Sequence, residues 1–247
     1  MAYKLDQDLE FLQYMGSESL DSLVEILIRD KDGELRFTES ITSNDLYKRF
    51  VPQHSNYWEL IAAELQSFGG NSFVNVFRGG GVQYKEILCE VCDKMNVNYN
   101  ENSKVINIEQ NLFMKILEDA MKDMSAEELK SIVEELNLKT QTYTSQAVMA
   151  AMQIAIKQSG FFVYKMAAII VNAVLKALFG RGLTFAGTGL MMRSISAFAG
   201  PVGWAITAAW TAYDVAGPAY RVTIPAVIQV AFLRQKKKKK NMIEEEE

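Results

Sequence analysis

A chain of 247 residues, 49% hydrophobic and 23% charged, has the make-up of a globular protein long enough to bury a core. A net charge of −4, without a basic patch interleaved with aromatics, sets nucleic acid aside as a partner. One histidine and two cysteines leave neither a Ser/His/Asp set nor a four-ligand zinc site, so no enzyme, metal or cofactor is expected.

The few cysteines and the acidic opening Met1–Glu10, without a signal peptide, predict a cytoplasmic setting. Four prolines in this length favour helices over a sandwich or barrel. Charge then divides the chain near residue 140. Residues 1–140 hold 14 basic and 25 acidic residues, whereas residues 141–232 hold six basic residues and one acid, Asp214. The division predicts an acidic amphipathic region at 1–140, an apolar Ala/Gly-rich region at 141–235 and a charged disordered tail at 236–247, the whole forming one cooperative unit.

In the first region apolar residues recur at helical spacing. Leu20, Leu23, Val24 and Leu27 follow Ser17, and Asp32-Gly33 closes the segment. Asn56 with Glu59 predicts a capped helix carrying Trp58, Ile61, Leu65 and Phe68, stopped by Gly69-Gly70. After Gly79-Gly80-Gly81, Tyr84, Leu88, Val91, Cys92 and Met95 mark the next helix. Asn107 and Gln110 open another, with Leu112, Phe113, Ile116 and Leu117 inward. Ser125-x-x-Glu128 is a capping box ahead of Leu129, Ile132, Val133 and Leu136. Leu35–Phe37 and Val105-Ile106 are short extended pieces at most.

The second region is helical in another way. Residues 140–156 make a small-residue helix. Phe161–Phe179 is an apolar rod with one polar stripe, Lys165, Asn172 and Lys176. Residues 184–199 and 202–216 flank the turn Gly200-Pro201, forming a hairpin whose small residues permit close packing. Thr223 caps a last helix with Pro225 in its first turn, ending in Arg234 and Lys236–Lys240. The fold class is therefore all-α: a helical bundle with acidic amphipathic N-terminal helices and an Ala/Gly-rich apolar C-terminal helical hairpin.

Phe161–Phe179 approaches the ~20 apolar residues of a membrane span. Its lysines would cost about 2.5–3.5 kcal/mol each at a bilayer centre. A buried bundle is the main reading. Peripheral or conditional membrane contact, at the inner face of the membrane, is the alternative.

Among candidate site residues, Asp214 stands alone in an apolar context and is expected to pair with Arg221 or Arg193, fixing the last helix. Cys89-x-x-Cys92 lies within a helix and reads as two packing side chains, Cys92 inward. His54 reads as a surface or capping residue in a loop. Arg78-Gly79-Gly80-Gly81 offers backbone N–H groups to an anion but lacks the Gly-Lys-Ser/Thr ending of a phosphate loop, so it reads as a turn.

The segments Trp58–Ala62, Phe68–Ser72, Arg78–Gly81 and Tyr84–Leu88, with Gly217–Gln229 near the end, resemble the bacterial YaaW-like proteins, which are grouped with the ubiquinol–cytochrome c chaperone-like proteins. The opening, Tyr3-Lys4 through Gly33, resembles a short module found at the start of such proteins. The resemblance implies a chaperone-like helical protein and carries no catalytic residue onto this chain. A non-enzymatic interaction protein is expected, with a protein client or a second copy as partner. The alternative is a membrane-associating protein acting through the C-terminal hairpin.

Overall fold

Apolar residues three and four apart dictate most of what folds. The structure is a computed structural model that describes residues 2–30, 32–37, 39–69, 81–182, 202 and 220–244. Among these the chain is all-α, with helices α1 (Ser17–Ile28), α2 (Asp45–Phe50), α3 (Trp58–Phe68), α4 (Tyr84–Lys94), α5 (Val105–Met121), α6 (Ala126–Glu135), α7 (Ser145–Gln158), α8 (Gly160–Phe179) and α9 (Tyr220–Glu244). Two 3-10 turns, Glu10–Tyr14 and His54–Tyr57, precede α1 and α3.

The predicted inward faces of α1, α3, α4 and α5 are largely buried, while Trp58 and Phe68 lie half-buried at the edge of the core. The capping box is present: Ser125 accepts from the Glu128 backbone, and the Glu128 carboxylate accepts from the Ser125 backbone. Several starts differ from expectation. Asn56 does not cap α3; the 3-10 turn occupies that place. Helix α5 begins at Val105, two residues before Asn107. Ser17 opens α1 but spends its hydroxyl on Ser55, 2.9 Å away. Extended structure among the described residues is one isolated bridge, Arg29 to Leu35, with Gly33 turning the chain at φ +80°.

Helix α8 is apolar on nearly every side, and a helix of that kind must be buried. It is long and apolar enough to cross a membrane, yet 78% of its most apolar window is buried inside the protein. The expected polar stripe does not survive: Asn172 lies in the core, Lys165 is half-buried and Lys176 is exposed. Its main partner is α9, whose residues Val222–Leu233 are buried without interruption. Thr223 is buried within α9 rather than capping it, and Pro225 lies inside the helix.

At ~1.5 Å per residue α9 is roughly 37 Å long. It touches α1, α3, α4, α5 and α8. The disordered tail expected from Lys236 gives way to helix, because α9 continues through the lysines to Glu244. The apolar turns ahead of them are locked in the core, and aromatic rings from distant segments lie beneath the lysine stems.

Candidate functional site

Glu109 lies on the buried face of α5 with no exposed surface. A carboxylate in that position must be paired and hydrogen-bonded. Arg234 of α9 donates through Nε at 3.1 and 3.0 Å to its two oxygens, and the Tyr84 hydroxyl of α4 donates at 2.8 Å. Burial pushes the Glu109 carboxyl up from the ordinary carboxylate range, while the Arg234 charge and the Tyr84 hydroxyl pull it back. The guanidinium also sits 4.5 Å over the Phe11 ring and donates to the Asp8 carbonyl at 2.7 Å. Asp6, itself buried, accepts from the Tyr84 backbone N–H at 2.6 Å, at the start of α4.

The N-terminal segment is bolted on elsewhere by the same means. Buried Gln66 pairs with the Lys4 backbone as another peptide would, accepting at 3.0 Å and donating at 2.8 Å. Gly81 lies against Gln66 so closely that a Cβ there would meet its backbone at 2.9 Å. Glu25 of α1 takes Arg181 at 2.5 and 2.6 Å.

His54 is not a surface residue. It is buried, with Nε2 2.8 Å from Asp21 of α1 and Nδ1 against the Tyr57 hydroxyl. Burial lowers its pKa below 6.5, with the Asp21 carboxylate opposing. The neutral ring donates from Nε2 to Asp21 and accepts at Nδ1 from Tyr57, which leaves no nitrogen for base catalysis. The unfolded chain therefore binds the proton more readily. Stability is expected to fall as pH drops below about 6.5 towards the lowered folded value. A proton NMR titration of this single imidazole is expected to give a midpoint below 6.5; a midpoint above it would contradict the assignment.

The third feature is a rim at the end of α9. Lys237 lies 4.0 Å over the Tyr14 ring, and Lys239 lies 5.0 Å over Phe161 and 4.7 Å over Tyr164. Lys165 of α8 also lies over Phe161, at 5.1 Å. Lys236 donates to Ser19 of α1 at 2.7 Å, and burial lowers its pKa. Tyr14 is 68% and Phe161 38% exposed, so on two sides of α9 a lysine lies over an exposed ring. Lys238 and Lys240 are exposed beside them.

Of the residues expected from the sequence, Lys165 belongs to this rim. Trp58 packs edge-on to Tyr3 at 5.2 Å, a structural contact. Arg221 is exposed near the start of α9, and Lys176 is exposed on α8. Arg78, Gly79, Gly80, Arg193 and Asp214 lie outside the described residues. Cys92 faces the core and Cys89 is half-buried; burial pushes both thiols up, away from the reactive thiolate. Sequence reasoning missed Glu109, Tyr84 and Arg234 as a unit. Glu109 did carry a signal, because it stands on the apolar stripe of Val105, Ile108, Leu112, Phe113 and Ile116.

Comparison with known proteins gives the chain a family. The family model described as Ubiquinol-cytochrome C chaperone matches residues 53–229, and a domain of unknown function (DUF3944) matches residues 3–37. The chain is 50% identical over 242 residues to a UPF0174 protein of Helicobacter pylori strain J99, covering 98% of this chain and 96% of that protein. A second UPF0174 protein of that strain is 40% identical over 205 residues, 81% of this chain and 98% of the relative. The UPF0174 protein YaaW of Escherichia coli strain K12 is 31% identical over 238 residues, 94% of this chain and 95% of the relative. No solved structure matches the chain.

Proposed function

This chain belongs to the UPF0174 (YaaW) family and to the Ubiquinol-cytochrome C chaperone family, and from that premise we propose that it is a non-enzymatic, chaperone-like interaction protein that holds a client at its basic aromatic rim. The observation that carries the reading is the fixing of Lys236–Lys240 on a helix whose preceding turns, Val222–Leu233, are buried. A free lysine tail would attract any anion. Lysines held on Tyr14, Phe161 and Tyr164 set charge beside aromatic rings at fixed positions around the end of α9, which suits an acidic client segment with exposed apolar side chains. The setting is cytoplasmic.

The same rim favours a second reading, peripheral contact with an anionic bilayer at the inner face of the membrane. The inward packing of α8 argues against an inserting helix in either reading.

The test is suppression of aggregation, read by light scattering, when a chemically unfolded acidic reporter protein is diluted into the full chain. Suppression is expected at low salt. It should weaken severalfold with Lys237→Glu/Lys239→Glu, and likewise near 1 M salt, where the Debye length is about 3 Å. Undiminished suppression by the folded double variant would contradict the reading. Flotation with phosphatidylserine vesicles, without suppression, would move the assignment to the bilayer.

A further inference from the structure

Beyond the core the chain carries two blocks of opposite charge. Lys236–Lys240 comes first, and Glu244–Glu247 follows after Asn241, Met242 and Ile243. The rim sets lysines beside aromatic rings. Residues 242–247 are an acidic stretch led by two apolar residues, so the chain itself contains a segment of the composition that suits the rim.

Within one copy the two blocks barely meet. Helix α9 runs unbroken through the lysines to Glu244, so no turn separates them. Neighbours on a helix stand three or four residues apart, and between the blocks the Lys240–Glu244 pair alone has that spacing. Its atoms lie 3.6 Å apart with both side chains more than half exposed, so the pair contributes little. Lys237 and Lys239 lie over rings instead, and Lys238 is exposed. Met242 packs at the start of α8, its sulfur 3.6 Å from where a Cβ on Gly160 would stand, and is still 40% exposed. The end of α9 thus presents lysines, Met242 and Glu244 at fixed places.

We propose that this end of α9 pairs with the same end of a second copy, antiparallel about a two-fold axis at Met242. The surface used is the rim assigned above to a client, and the pairing rests on that reading of it. In this register Lys240, Lys239, Lys238 and Lys237 come level with Glu244, Glu245, Glu246 and Glu247 of the second copy, and Met242 meets Met242. A parallel pairing would set like charges against like. The two-fold axis makes both charge contacts at once, because the lysine block and the acidic block are carried by one surface. Residues 236–247 span roughly 18 Å as helix, so the contact is small and transient. The second copy's acidic segment covers the lysines until a client displaces it.

The experiment is sedimentation equilibrium of the full chain in about 0.01 M and about 1 M salt, where the Debye length is about 30 Å and about 3 Å. A monomer–dimer equilibrium is expected at low salt, weakened about tenfold or more at high salt. Lys238→Glu/Lys240→Glu and Glu244→Lys/Glu246→Lys, each checked for folding by circular dichroism, are expected to be monomeric at low salt. Mixed in equal amounts they are expected to recover the dimer, because opposite charges then meet again at all four positions. A monomer at both salts, a dimer unchanged by either folded variant, or a mixture that stays monomeric would overturn the pairing. Light scattering with the acidic reporter judges the client separately. A monomeric chain that suppresses aggregation overturns the pairing alone; a salt-sensitive dimer without suppression supports the pairing and overturns the client alone.

Discussion

Glu109→Ala is expected to destabilise the protein by about 3–5 kcal/mol, read as a lowered urea midpoint with little change in slope. The magnitude follows from what is left behind. Arg234 would keep its charge, largely enclosed between Phe11 and Tyr84, with its carboxylate gone. The Tyr84 hydroxyl would lose its acceptor at 2.8 Å. Replacing both partners together by apolar residues, Glu109→Leu with Arg234→Met, is expected to recover most of the loss, because no charge is then stranded. Equal damage from the single and the paired substitutions would mean that the junction does more than satisfy itself.

Phe232→Ala is the second large effect, about 3–5 kcal/mol. Phe232 has no exposed surface and stacks on Tyr164 of α8 at 5.7 Å, with ring planes 23° apart. Truncation removes that contact and opens a cavity on the α8–α9 seam, which neighbouring helices cannot close without moving as a body. For a chain of this size the drop in Tm is on the order of 10 °C. Phe161→Ala, at a position 38% exposed on α8, is expected to cost far less. Similar losses at both sites would place the core elsewhere.

Much of the fold could be read from the chain, for local reasons. Stripes such as Leu20, Leu23, Val24 and Leu27, and the Ser125–Glu128 box, depend on residues within two turns of one another. What escaped reading was decided at long range. Glu109 and Arg234 are 125 residues apart, and nothing periodic announces such a partner. His54 looked like a loop residue because Asp21, which buries and pairs it, lies in another helix. The lysine run looked solvated because Tyr14, Phe161 and Tyr164, the rings beneath it, come from segments with no local relation to it. The change of composition near residue 140 is real, yet α9 from the apolar side packs on α1, α3, α4 and α5 from the acidic side. Gln229 and Asn172, polar positions in otherwise apolar helices, were as legible as Glu109, and all three are buried.

The rim acts as a fixed surface only if α9 holds as a helix beyond the core. Hydrogen exchange of the full chain, read by mass spectrometry on peptides covering residues 220–244, tests this directly. Amides of Val222–Leu233 are expected among the slowest in the protein, with protection continuing into Lys236–Lys238 and fading towards Glu244. Exchange at the rate of an unfolded peptide from Arg234 onward would contradict the account and return the lysines to a free tail.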